Sequence, residues 1–431
     1  MASRGNHLVR ADRSFATGAG VLGRLTAPMF ARIVDQLDQR LLRGGIEATL
    51  PNGSRRRVGL HAPGAVAVVD IKNWRALVRL ATSGSVGWYK AWAAGEWTSP
   101  DPVPLFELFA ANAVSLGDTA RAKGTARWLN AAAHRLRDNA PRQARDNIAA
   151  HYDLGNDFYA AWLDEGMTYS SARLSSPVVP SEVEGPISTA LDTNAMLVAG
   201  QQAKNTALFD RLDLAPGDRL LEIGCGWGTL AIEAARRGAS VVALTLSTEQ
   251  KAWAEAKIAA AGLSDRIDIR LTDYRAIDER FDAIASVEMV EAVGQRYWPD
   301  YLDCLARNLA PGGKAALQFI CIDPRLFDRY AKNADFIQAY IFPGGMLIDE
   351  PRFEALAKER GLSWGNRDGF GLDYAETLRL WRLRYDAAVA QGDLADFDET
   401  FHNLWRYYLM YCEGGFRGGT IDVAQVTLSR S

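Results

Sequence analysis

Apolar positions along the second half of the chain fall into short solid runs separated by stretches with helical spacing. Leu220, Leu221 and Ile223 lead into a run of alternating glycines, Gly224-Cys225-Gly226-Trp227-Gly228, and apolar residues resume as Leu230, Ala231, Ile232, Ala234 and Ala235. A buried strand running through a tight loop into a helix has this signature. Ser240 to Leu246 (SVVALTL) reads as a second strand, Ile267 to Leu271 as a third ending at Asp273 and Tyr274, and Phe281 to Val287 as a fourth. Gly312-Gly313 turns into a fifth, Lys314 to Ile322. Strands alternating with helices predict an α/β fold with a doubly wound, mostly parallel sheet and ligands at the carboxyl ends of its strands.

The first 120 residues are patterned differently. After a loose polar start, Phe30, Ile33, Val34, Leu37 and Leu41 mark a helix that begins near Pro28 and stops at Gly44-Gly45. Alternating stretches follow at Ile46 to Leu50, Val58 to Leu60 and Ala65 to Ile71, the first two joined by a Pro51-Asn52-Gly53 turn, and a helix spans Pro104 to Asn112. This predicts a smaller N-terminal α+β domain over 1–120, with Trp74, Trp88, Trp92 and Trp97 as its core rather than a membrane-interface belt. Residues 121–148 carry Arg121, Lys123, Arg127, Arg135, Arg137, Arg142 and Arg145 against Asp138 and Asp146. They read as a solvated linker helix, with attraction to anionic lipid as the sharper alternative. The remainder, 149–431, is the expected catalytic domain.

The glycine loop narrows the chemistry. Glycine permits the sharp strand-to-helix turn and lets a ligand reach main-chain atoms that a side chain would shield. The spacing is not GxGxxG, no acid for a ribose ends the second strand, and no Lys-Ser or Lys-Thr pair completes a phosphate loop. A class I methyltransferase binding S-adenosylmethionine fits what remains.

Composition sets outer limits. A net charge of -3 over 431 residues argues against a nucleic-acid-binding surface. Cys225, Cys304, Cys321 and Cys412 are scattered without a CxxC pair or a neighbouring histidine, so reduced thiols and no metal site are expected. The N-terminus lacks the apolar stretch of a signal peptide and no run is long enough to span a bilayer. These features predict a cytoplasmic protein that would meet a lipid from the water side.

Six segments in one order, HYDLGNDFYAAWLDEGMTYSS, LEIGCGWG, LTLSTEQ, SVEMVEAVG, YIFPGG and YLMYCEGGFRGG, resemble the cyclopropane fatty acid synthase family over residues 150 to 431. The N-terminal module, with WYKAWAAGEW, is similar to the lipid-binding and dimer-forming domain of the bacterial enzymes. The resemblance implies peripheral association with the inner membrane surface, a homodimer, and transfer of a methyl group from S-adenosylmethionine to the cis double bond of an unsaturated phospholipid acyl chain, followed by ring closure. An alkene is a poor nucleophile, so donor and double bond must be held in line in a dry pocket.

The resemblance places the cofactor against Tyr169, Ser170, Glu222, Gly224, Cys225, Gly226, Gly228, Thr245, Leu246, Gln250, Asp273 and Tyr274. It implies bound bicarbonate as the base that removes a proton from the transferred methyl, near Glu291, Tyr374 and the Ile320 backbone. Ser171 stands where the family usually has cysteine, Gln318 where many bacterial members have histidine, and Ala292 where histidine follows the glutamate. The last two, with LQFI, EMVEAVG and DFIQAYIFPGG, resemble the plant-type branch. A changed base site leaves open a mid-chain methyl-branched or methylated unsaturated product, and a non-catalytic lipid-binding protein is the further alternative. Cys412 matches a cysteine once considered a nucleophile and is expected as a structural thiol. The proline-flanked stretch Ser175 to Pro186 is an insertion relative to the family, read as tolerated loop with a lid as the alternative.

Overall fold

In a computed structural model of the protein the described residues are 4–10, 27–117, 154–174 and 190–430. The basic stretch 121–148 and the insertion at 175–186 lie outside them.

The chain forms two compact units that are not contiguous in sequence. The first comprises Met1–Asp138, Asp323–Pro343 and Asp396–Ile421, and the second Asn139–Ile322, Gly344–Ala395 and Asp422–Ser431. Two segments expected within the catalytic domain thus pack with the N-terminal module.

The first unit holds a four-stranded sheet of β1 (Gly45–Thr49), β2 (Arg55–Gly59), β3 (Val66–Ile71) and β4 (Trp97–Thr98), in the order β2-β1-β3-β4. The Pro51-Asn52-Gly53 turn joins the antiparallel β1/β2 pair, with Asn52 Oδ1 accepting from the Ser54 amide at 3.1 Å and Gly53 at φ +79°. The aromatic stretch after β3 is a single helix, Arg75–Ala93, broken at Gly84, whose φ of +58° only glycine adopts cheaply. Trp88 and Trp97 are buried and stacked at 4.5 Å, and the Trp97 indole donates to the Trp88 carbonyl at 3.0 Å. Trp74 and Trp92 are half-buried.

The helix Glu399–Arg417 explains why this unit recruits distant sequence. It crosses the helix Val103–Ala111 so closely that a Cβ at Gly414 would lie 2.4 Å from Phe106 Cβ, and one at Gly418, just past the helix end, 2.4 Å from Ala110 Cβ. Glycines four apart clear one face for the partner backbone. Around that crossing Tyr407 packs on Tyr89, Phe106 and Phe336 at centroid distances of 5.0, 5.1 and 4.8 Å. The GGFRGG motif is, at this level, a packing device.

The second unit is built on a seven-stranded sheet: β5 (Arg219–Ile223), β6 (Ser240–Thr245), β7 (Ile267–Leu271), β8 (Phe281–Val287), β9 (Leu309–Ile322), β10 (Leu362–Gly369) and β11 (Ile421–Arg430). Their order is β10-β11-β9-β8-β5-β6-β7. The run β9-β8-β5-β6-β7 is parallel throughout, and β10/β11 is an antiparallel pair with a bulge between Gly365 and Asp368. β5 lies between β6 and β8, so the chain reverses its direction of travel across the sheet there. A crevice opens at the carboxyl ends of the strands at such a point. The helix Thr229–Arg236 buries Leu230, Ala231, Ala234 and Ala235 in one cluster with Val241, Ala254 and Ile269. Small side chains let helix and sheet approach.

Because the Gly414 Cβ position is blocked by main chain and side chain of the neighbouring helix, we expect Gly414→Ala to destabilise the protein by about 1–3 kcal/mol through overpacking. At Gly415 the nearest atom to an added Cβ is the flexible Ile421 Cδ1 at 3.0 Å, so Gly415→Ala should be neutral or gain up to about 1 kcal/mol of helix propensity. Urea denaturation of both variants checks this, and equal effects would contradict the packing role.

Candidate active site

The loop after β5 turns on three glycines with positive φ, and each is required for a different reason. A Cβ at Gly224 would strike Met289 Cγ at 2.7 Å, and one at Gly228 would meet Ala254 Cβ at 2.9 Å. At Gly226, φ +52°, an added Cβ meets nothing within 4 Å. The loop is therefore packed on both flanks and open at its middle. The Gly224 and Cys225 amides are held on the Leu244 carbonyl at 3.0 and 2.9 Å, and burial pushes the Cys225 thiol up, away from thiolate.

Beyond β6, Thr245 donates its hydroxyl to Gln250 Oε1 at 2.9 Å while accepting from the Ser247 amide at 3.1 Å, and Ser247 caps the helix Thr248–Ala260. Gln250 is thereby fixed with its amino end as the remaining donor. Leu246 is half-buried. At the end of β7 both Asp273 oxygens bind Arg275, at 2.8 and 2.7 Å, so an adenine amino group meeting Asp273 has to share the carboxylate with that guanidinium. Tyr274 is buried, with its phenol pushed up by burial and its hydroxyl unpartnered among the described residues.

The segment before the sheet is folded over these loops by specific bonds. Asp164 accepts from the Gly166 and Thr168 amides at 2.8 and 2.9 Å, and Thr229 donates to the Gly166 carbonyl. Trp227 donates to Asn156 at 2.7 Å. Tyr169 packs on Tyr159, Trp162 and Trp381 at 5.5, 5.6 and 5.4 Å. Ser170 accepts at its hydroxyl from the buried Lys204 ammonium at 3.0 Å and at its carbonyl from Gln201 at 2.8 Å. Burial lowers the Lys204 pKa, while Glu288, Asp164, Glu233 and Glu222 oppose that shift. Glu222, on β5, is buried with Oε2 unpartnered among the described residues, and burial raises its pKa to about 8 against the pull of Lys204.

The residues expected at the base site do meet, but around a different carboxylate. The Tyr374 hydroxyl, expected beside Glu291, donates to Glu288 Oε2 at 2.7 Å. Glu288 Oε1 accepts from the Ser171 amide at 2.9 Å and from Gln318 Nε2 at 2.8 Å. Ser171 contributes its backbone only, because its hydroxyl donates to the Ala172 carbonyl at 2.9 Å. Glu291 Oε1 accepts from the Ile320 amide, and its buried Oε2 has no partner among the described residues. Cys412 belongs to the helix Glu399–Arg417 of the first unit, and burial, helped by Asp335, pushes its thiol up. It offers no ready nucleophile.

An orientation relay fixes which end of Gln318 faces Glu288. Arg211 can only donate, and its Nε lies 3.2 Å from Gln425 Oε1. Gln425 Nε2 must then face Gln318 Oε1, at 3.0 Å, which leaves Gln318 Nε2 for the carboxylate. Burial raises the pKa of both glutamates. The Tyr374, Ser171 and Gln318 donors and Lys204 pull Glu288 back down, whereas Glu288 itself raises Glu291, which reaches about 8 with only backbone amides to oppose it. The donors gathered on Glu288 favour ionisation there first, and the Glu288 charge in turn holds the proton on Glu291.

The sheet order, the switch point at β5 and the open glycine loop together define a class I methyltransferase fold. Residues 139–426 match the family described as mycolic acid cyclopropane synthetase. The chain is 39% identical over 367 residues to the tuberculostearic acid methyltransferase UfaA1 of Mycobacterium tuberculosis, covering 82% of this chain and 80% of that one. It is 33% identical over 388 residues to the cyclopropane-fatty-acyl-phospholipid synthase of Escherichia coli (strain K12), covering 87% and 91%. The solved structure of mycolic acid cyclopropane synthase CmaA1 complexed with SAH and CTAB superposes with a TM-score of 0.57 at 29% identity, over 66% of this chain and 98% of that one. The protein is a member of the mycolic acid cyclopropane synthetase family, and its cofactor is S-adenosylmethionine.

The residues present fit that cofactor, since the Gly226 main chain is bare where a side chain would otherwise stand. Gly226→Ala should cost the fold only about 1–2 kcal/mol of left-handed backbone strain, since the methyl meets open space. It should weaken S-adenosylmethionine binding by at least about tenfold, or 1.4 kcal/mol. Calorimetric titration reads the affinity, and an unchanged dissociation constant would remove the loop from the cofactor's seat.

Glu291 yields a pH prediction. Its folded pKa of about 8 stands above its ordinary value of 4.5. It costs no stability below pH 4.5, costs progressively more as the pH rises to about 8, and levels off above that. Glu291→Gln should therefore gain stability relative to the wild type between pH 5 and 8, as measured by denaturation midpoints; a difference that stays flat with pH would show that Glu291 is ionised in the folded protein.

Proposed function

We propose that this protein transfers a methyl group from S-adenosylmethionine to the cis double bond of an unsaturated phospholipid acyl chain and closes a cyclopropane ring. The observation that carries the reading is that the glycine loop after β5, open at Gly226 and packed at Gly224 against Met289, adjoins the segment after β8 that carries Glu288 and Glu291, each held by its own donors. When bound, S-adenosylmethionine supplies an electrophilic methyl on a sulfonium. Tyr169, Ser170, Glu222, Gly224, Cys225, Gly226 and Gly228 would hold its methionine and sulfonium end, Thr245, Leu246 and Gln250 its ribose, and Asp273 and Tyr274 its adenine. The packed rings of Trp162, Tyr169 and Trp381 would exclude water from the reacting end.

Methylation of an alkene creates a cation, which must lose a proton for the product to be neutral. A carboxylate at the strand edge is the group suited to take it. The first unit is proposed to engage the lipid surface and a second copy of the chain. No helix among the described residues is long and apolar enough to cross a membrane, which accords with a peripheral approach.

A second reading is favoured by the similarity to the tuberculostearic acid methyltransferase over most of both chains. There the cation would lose a proton from a neighbouring carbon or from the methyl without ring closure and end as a methylated unsaturated chain, a saturated methyl-branched chain requiring a separate reduction.

The test is incubation of the purified protein with radiolabelled S-adenosylmethionine and vesicles of mono-unsaturated phospholipid, followed by mass spectrometry before and after catalytic hydrogenation. We expect label in the acyl chain and a product that lacks an alkene. A product that takes up hydrogen as an alkene would favour the second reading, and absence of label with every unsaturated lipid would leave a lipid-binding protein without catalysis.

A further inference from the structure

Glu288 has two features that a surface glutamate lacks. Its backbone sits at φ +47°, in the left-handed region that non-glycine residues adopt at a cost, and its amide donates to the Gln318 carbonyl at 2.8 Å, which pins that conformation between β8 and β9. Its carboxylate then receives three donors from three separate segments: the Ser171 amide, the Gln318 side chain and the Tyr374 hydroxyl. Three converging donors form an anion site, and the anion is part of the chain. Residues 224 and 289 are in contact range, so the site adjoins the cofactor loop. Glu288 is half-buried rather than sealed in the core, so part of its surface can be met by a substrate.

The bicarbonate implied by the family resemblance does not fit this arrangement. The Tyr374 hydroxyl and the Ser171 amide can each serve one strong acceptor, and Glu288 has both. A second anion placed there would also stand against Glu288 without a counter-charge, because Lys204 is already committed to Ser170.

We propose that Glu288 is a built-in base that occupies the anion position with its own carboxylate, so that the protein takes up the methyl proton without bound bicarbonate. This rests on the methyl-transfer reading above. In the step assigned to it, a C–H bond of the transferred methyl breaks and its proton moves to a Glu288 oxygen. The C–H electron pair becomes the third bond of the ring at the cationic carbon. The carboxylate leaves as a carboxylic acid, charge is conserved, and no oxidant or reductant is needed. Gln318, through the Gln425–Arg211 relay, is a positioning residue for that carboxylate.

Glu288→Gly tests this, because glycine relieves the left-handed strain and opens the position where an added anion can meet the three donors. Binding of carbon-13 bicarbonate is followed by NMR, and methyl transfer to unsaturated phospholipid vesicles is followed with and without bicarbonate in carbon-dioxide-depleted buffer. We expect the wild type to bind no bicarbonate and to turn over equally in its absence. Glu288→Gly should bind bicarbonate in the vacated position, lose at least about 100-fold in turnover without it, and recover part of that loss when it is added. Bicarbonate binding by the wild type, a wild-type rate that falls when bicarbonate is removed, failure of Glu288→Gly to bind the anion, or undiminished bicarbonate-free turnover in that variant would each overturn the proposal. The binding arm decides it even if no lipid is methylated, an outcome that would count against the methyl-transfer reading instead.

Discussion

A carboxylate drawn partly out of water persists only if protein donors replace the hydration it loses, and Glu288 is where this chain meets that requirement. Its three donors come from the loop at Ser171, from β9 at Gln318 and from the helix Gly371–Gln391 at Tyr374. Segments separated by as many as 117 residues are tied to the end of β8 by one side chain. Removing the charge would leave an amide and a hydroxyl without an acceptor and a buried Lys204 with one fewer compensating acid. The cost of holding a glutamate in a left-handed conformation is offset by this gathering of the site.

The same economy explains Glu291. A second ionised carboxylate beside Glu288 would stand without donors of its own beyond backbone amides, so it stays protonated to about pH 8. Environment separates two glutamates three positions apart, one met by three donors that favour its charge and one left with backbone amides alone. Such divergence is a recurring way for a site to divide acid and base roles.

The parallel core was legible because β5, β6 and β8 are buried on both faces and show as solid apolar runs. β10 was not, since LSWGNRDG is half-exposed at the sheet edge and mixes glycine with charge, and β11 lies beyond a glycine-rich helix end that masks its start. The assignment of Glu399–Arg417 to the first unit could not be read locally either, because the Gly414–Phe106 contact joins residues far apart in sequence. At the site, the motifs supplied Tyr374, Gln318, Ser171 and Ile320, and the structure brings all four to the glutamate pair. Motif spacing pointed to Glu291 and passed over Glu288, since a positive φ leaves no trace in a glutamate. Two acids directly after a buried strand, with no basic residue beside them, were the available signal. Lys204, Gln201 and Gln425 lie on a helix and a strand whose facing only tertiary packing reveals.

The proton transfer assigned to Glu288 requires that this member of the Glu288–Glu291 pair carry the negative charge at neutral pH. Infrared difference spectroscopy of the wild type against Glu291→Gln and against Glu288→Gln, at pH 7, reads this directly. A protonated carboxylic C=O stretch that is present in the wild type, missing from Glu291→Gln and retained in Glu288→Gln is the predicted result. A stretch that disappears with Glu288 instead would put the proton on the wrong carboxylate and contradict the account.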